Sequence, residues 1–184
     1  MSWGYFLDLH LTLPTADWTR IAETRVGDHP LAASWWGFEE AALGEMFTGA
    51  DFDDMTIGDA VALFARVESI GTVNVMGSET ELRLCQLVDR GGDPSIAKPI
   101  AVLVDAAQST AQGTLRMVND GSYSGEGGVE ITASGGALSR KAIEDFMPFV
   151  MKLGAEIYGA EIDEDAEGGE EGESQAEEEE VTQR

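Results

Sequence analysis

The chain has 184 residues, of which 43% are apolar and 25% charged, with a formal net charge of -24 at neutral pH. One hydrophobic core serves a chain of this length, an ordinary apolar fraction supplies it without disulfides or metals, and the lone Cys85 has no internal partner. The charge repels nucleic acid and anionic membranes, no segment reaches the roughly eighteen apolar residues of a membrane span, and Asp8 and His10 break an N-terminal apolar stretch that has no basic start; a cytoplasmic protein is expected.

In chain order, Trp3 to Leu13 alternates strictly, which predicts a strand with Trp3, Tyr5, Leu7, Leu9, Leu11 and Leu13 toward a core and Asp8, His10 and Thr12 on a solvated face. Pro14 ends it. Thr15 then suits the N-cap of a short helix through Trp18, Ile21 and Ala22 that Gly27 closes. Residues 28 to 55 read mostly as loop, with one helical turn near Glu39 to Phe47. Thr56, followed three residues later by Asp59, resembles a capping box opening a helix whose apolar stripe is Ile57, Ala60, Val61, Phe64 and Val67.

A hairpin is predicted next, with Val73 and Val75 pointing inward, Gly77-Ser78 as the turn, and Leu82 and Leu84 returning. Pro99 suits the first turn of another helix, with Ile100, Leu103, Val104 and Ala107 as its stripe. A second hairpin joins Leu115 to Val118 with Val129 to Ala133 through a Gly-rich loop. Ser139 is expected to cap a last helix carrying Ile143, Phe146, Met147, Val150 and Ile157, kinked by Pro148. The order helix, hairpin, helix, hairpin suggests an αββ pseudo-repeat. The expected fold is α+β, an antiparallel sheet of about five strands with helices packed on one face.

Residues 1–160 are expected to form this acidic domain, with a net charge of -13 from 23 acids and 10 bases. Residues 161–184 hold 12 acids and Arg184, show no apolar periodicity, and are expected to be a disordered acidic tail.

Little points to catalysis or to a cofactor. Cys85 on a strand, with only His10 and His29 in the whole chain, lacks a recognisable base. Asp51, Asp53 and Asp54 lack the glycine and distant glutamate of a calcium loop, and no Cys or His cluster suggests zinc. Gly125-Glu126-Gly127-Gly128 carries an acid and opens no helix, so it is no phosphate loop. The segment Trp35, Trp36, Phe38, Glu39 and Glu40, continuing to Asp51, Asp53 and Asp54, combines aromatic anchors with carboxylates and is the expected partner-binding surface. No cofactor or metal is expected. The expected partner is a basic protein, in the most specific form a toxin or nuclease held by an immunity-type inhibitor. Alternatives are an adaptor with a tethering tail and a hydrolase whose carboxylates meet only in the fold.

Overall fold

In the computed structural model the described residues are 3–31, 52–63, 69–89, 97–120, 126–145 and 147–158. They form, in order, β1 (Trp3–Pro14), α1 (Thr15–Ala22), α2 (Ile57–Leu63), β2 (Ser69–Met76), β3 (Glu79–Asp89), α3 (Ala97–Ala107), β4 (Gln112–Asp120), β5 (Glu126–Ser134), β6 (Leu138–Ala142) and α4 (Met147–Tyr158). The strands make one antiparallel sheet in the order β2-β3-β1-β4-β5-β6. The α+β class and both predicted hairpins are present, and the hairpins flank β1. The predicted acidic tail, 161–184, lies outside the described residues.

Alternation along β1 sorts the sheet into two faces. Leu7, Leu9, Leu11 and Leu13 share one face with Leu82, Leu84, Leu115, Met117 and Ile131, where Ile21 of α1, Ile57 and Val61 of α2, and Ile100, Leu103 and Val104 of α3 cover them. Each such side chain taken out of water contributes about 1.5 to 3 kcal/mol. α3 is buried on nearly every side, Ala101, Val102 and Asp105 included, so it is a core helix and not the half-exposed stripe its spacing suggested. The predicted capping arrangement is realised: Asp59 N–H donates to Thr56 Oγ1 (3.1 Å) and Thr56 Oγ1 donates to Asp59 Oδ2 (2.7 Å).

The structure departs from the sequence expectation in four places. The sheet has six strands, and α4 packs on the second face through Val150 and Leu153, against Phe6, Cys85 and Val118, so helices cover both faces. Ser139 caps nothing: Gly135 (φ 50°) and Gly136 (φ 116°) turn the chain into β6, which pairs with β5, and α4 starts only at Met147. Pro148 therefore sits in the first turn, where its missing N–H costs no helical hydrogen bond. Thr15 is the first helical residue, not the N-cap; its Oγ1 donates to the Gly77 carbonyl (3.2 Å) and accepts from Thr80 Oγ1 (3.1 Å), fastening α1 to the β2–β3 turn. Val73 and Val75 lie opposite the buried Leu82 and Thr80, hence on the predicted face, yet they are 40% and 60% exposed because β2 is the sheet's edge.

Candidate functional site

Strand pairing places Cys85, Asp8, Arg116, Glu130 and Lys141 in one row across β3, β1, β4, β5 and β6, each directly opposite the next. Residues so placed stand about 5 Å apart at Cβ, so the charges alternate in sign along the row. Arg116 Nε donates to Glu130 Oε2 at 2.5 Å and Arg116 Nη1 lies 3.6 Å from Asp8 Oδ2. Its guanidinium also sits 5.0 Å from the centroid of the Phe149 ring of α4, a cation–π arrangement. Phe149 in turn meets Phe6 edge to face, with centroids 4.9 Å apart and rings at 81°. Arg83, two residues before Cys85 on the same strand face, brings Nη1 to 3.0 Å from Asp8 Oδ1, while its Nη2 donates to both carboxylate oxygens of Glu156 on α4 at 3.1 Å.

Asp8 was expected on a solvated face and is instead 5% exposed, because α4 covers its end of β1. Two arginines flank it, but Oδ1 accepts no hydrogen bond: Arg83 approaches as a charge without hydrogen-bond alignment. Burial is the larger effect and raises the Asp8 pKa above the ordinary carboxylate value, against the opposing pull of Arg83, His10 and Arg116. The neighbouring Cys85 is fully buried and burial pushes its thiol far up, with the Asp8 carboxylate adding to the rise. A thiol so held is not a nucleophile. For His10 burial comes first and the Arg83 charge second in lowering the imidazole pKa.

Beside this row opens a cleft of about 560 Å³ lined by Arg116, Glu130, Lys141, Glu144, Asp145 and Phe149. A smaller hollow of about 140 Å³, reaching Asp8, Arg83, Lys152 and Glu156, adjoins it through Arg116 and Phe149. The inner carboxylates already face arginines, whereas Glu144 and Asp145 are exposed at the rim. The arrangement suits electrostatic recognition of a cationic group beside an aromatic ring. Glu130 accepts from Arg116, and Asp8 lies between Arg83 and Arg116. Among the described residues, no group of three or more His, Cys, Asp and Glu is placed to hold a metal ion, and no helix is long and apolar enough to cross a membrane.

Of the partner-binding residues expected from sequence, Trp35, Trp36, Phe38, Glu39, Glu40 and Asp51 lie outside the described residues. Asp53 accepts from Lys98 Nζ of α3 at 2.6 Å, and the fully exposed Asp54 lies 3.7 Å from Arg25. Close by, His29 Nε2 and Asp105 Oδ2 are hydrogen-bonded at 3.0 Å, and this contact and the Asp53–Lys98 ion pair fasten the region to α3. Asp53 and Asp54 thus belong to the α3 side of the sheet and not to the cleft beside α4. Sequence reasoning missed Arg83, Arg116, Glu130 and Glu156. The available signal was that Asp8, Arg83, Arg116 and Glu130 all occupy outward positions of predicted strands; only the register aligns them. No protein-family model, no curated protein and no solved structure matches the chain.

Proposed function

We propose that this chain is a non-catalytic acidic protein that binds and neutralises a basic partner protein, in its most specific form an immunity-type inhibitor of a toxin or nuclease. The observation that carries the reading is the disposition of charge. Arg20, Arg25, Arg83, Lys98 and Arg116 are each ion-paired within the chain. Glu23, Asp28, Glu79, Glu144 and Asp145 face solvent. Among the described residues, internal pairing occupies these five cations and leaves carboxylates on the surface, where such charge steers cationic proteins and repels nucleic acid. The buried, unreactive Cys85 and the arginine-committed carboxylates favour binding over chemistry.

The test is co-purification of the full-length tagged chain from its own cells at low salt, with mass-spectrometric identification of what elutes as salt rises. A stoichiometric basic protein that leaves at high salt is the expected result. Recovery of a neutral or acidic partner whose retention is indifferent to salt contradicts the reading.

A further inference from the structure

β2 stands at one edge of the sheet and carries the sequence Ser-Ile-Gly-Thr-Val-Asn-Val-Met, with no charged residue, no proline and an unbroken register against β3. Every other described strand contains charge, and the opposite edge, β6, is only five residues long and bears Arg140 and Lys141. Natural sheets blunt their edges with charge, proline, bulges or shortness. β6 follows that rule and β2 does not. Three of the five large apolar side chains exposed among the described residues, Val73, Val75 and Met76 (56%), also lie on it.

We propose that β2 is a self-association edge, pairing antiparallel with β2 of a second copy about a two-fold axis through Asn74. The backbone fixes which residues can bond outward. Gly77-Ser78 is a two-residue turn, so Met76 and Glu79 form its closing hydrogen-bonded pair, and the alternation of an antiparallel ladder turns Val73 and Val75 away from β3. Two such edges meet with hydrogen bonds only if odd residues face odd residues. Centring on Asn74 sets each Val73 opposite the other copy's Val75 and each Thr72 opposite its Met76. Centring on Val73 or Val75 would pair one valine with a glycine, Gly71 or Gly77, and cover less apolar surface.

The occupant is a second copy, because an uncharged strip is where two chains of charge -24 approach with the least repulsion, and because the edge is complementary to itself. A single strand pair covers less than the roughly 1,200 Å² of a standard interface, so the dimer is weak. Its salt dependence is opposite in sign to that of binding a basic partner: screening relieves repulsion, and association tightens as salt rises.

Sedimentation velocity of the full-length chain, from low micromolar to near-millimolar at low and high salt, tests this together with three variants. A monomer–dimer equilibrium that tightens severalfold at high salt is expected. Val75→Pro removes an outward N–H without touching the β3 ladder and should weaken the dimer tenfold or more, with its melting curve confirming the fold. Asn74→Cys should crosslink to its own copy under mild oxidation, since residues on the axis form a closely spaced pair within disulfide reach. Val73→Cys, equally exposed but offset from its mate, should crosslink far more slowly. A monomer under all conditions, a dimer unaffected by Val75→Pro, or equal crosslinking at 73 and 74 overturns the proposal.

Discussion

Arg83 on β3 serves two carboxylates on two elements: Nη1 stands 3.0 Å from the buried Asp8 of β1, while Nη2 holds Glu156 of α4. One guanidinium thus compensates a charge within the sheet and tethers the helix that buries it. Arg83→Met should destabilise the fold by about 1 to 3 kcal/mol in urea unfolding, because Asp8 loses its nearer counter-charge while Arg116 keeps part of the compensation. The half-exposed Glu156 contact supplies the smaller share. An unchanged midpoint would show that Arg116 alone suffices.

Asp8 gives a pH signature. Its folded-state pKa lies above the unfolded value, so between the two the folded state holds more protons and stability falls as pH rises through that window, which opens at the ordinary carboxylate value. Asp8→Asn should flatten this part of the curve of unfolding free energy against pH. His10 acts in the other direction: its pKa is lowered, so its contribution is lost as pH drops below the ordinary histidine range. The two separate cleanly if His10→Gln leaves the Asp8 window intact. A wild-type stability that rises with pH through that window contradicts burial as the dominant cause.

The parts of the fold that rest on local chemistry were legible in the sequence. The parity of β1 from Leu7 to Leu13, the Thr56–Asp59 cap and the Gly77-Ser78 turn each involve residues a few positions apart, and each is found. What escaped depends on distant elements. Alternation separates Asp8 from Leu7 and Leu9, but whether the polar face stays wet depends on α4, some 140 residues later in the chain. Val73 and Val75 were assigned the correct face, yet burial needs a covering helix and none among the described residues buries them. Pro148 read as a kink only because β6 was taken for the start of the helix. The charged row across Asp8, Arg116, Glu130 and Lys141 exists only once four strands are in register, which no local pattern encodes.

Gly113 should tolerate no side chain. It holds φ 146° opposite Leu11 in the β1–β4 ladder, and a Cβ there would come within van der Waals overlap of the His10 carbonyl oxygen. The obstacle is backbone, so no rotamer change relieves it. Gly113→Ala is expected to cost about 3 kcal/mol or more, enough to lower the urea midpoint plainly. A near-neutral result would mean that the two central strands can shift apart locally.

Thr56→Ala should cost about 1 kcal/mol, since it removes the acceptor of the Asp59 N–H and leaves the first turn of α2 uncapped. α2 contributes Ile57 and Val61 to the main core, so the loss should appear in global unfolding and not as local fraying. Thr56→Ser, which keeps the hydroxyl, should recover most of it. Equal losses in the two variants would trace the effect to the methyl group instead of the cap.

If exposed carboxylates steer a basic partner, the association rate constant measured by stopped flow with the co-purified partner carries the effect. Glu23, Glu79, Glu144 and Asp145 are suitable sites for charge reversal because they are exposed, whereas reversing Asp53 or Asp54 would also break an ion pair, with the largely buried Lys98 or with Arg25. The association rate should fall by tenfold or more from low to high salt, and fall again when these four are reversed to lysine, with dissociation changing little. An association rate indifferent to salt and to the four reversals would contradict it.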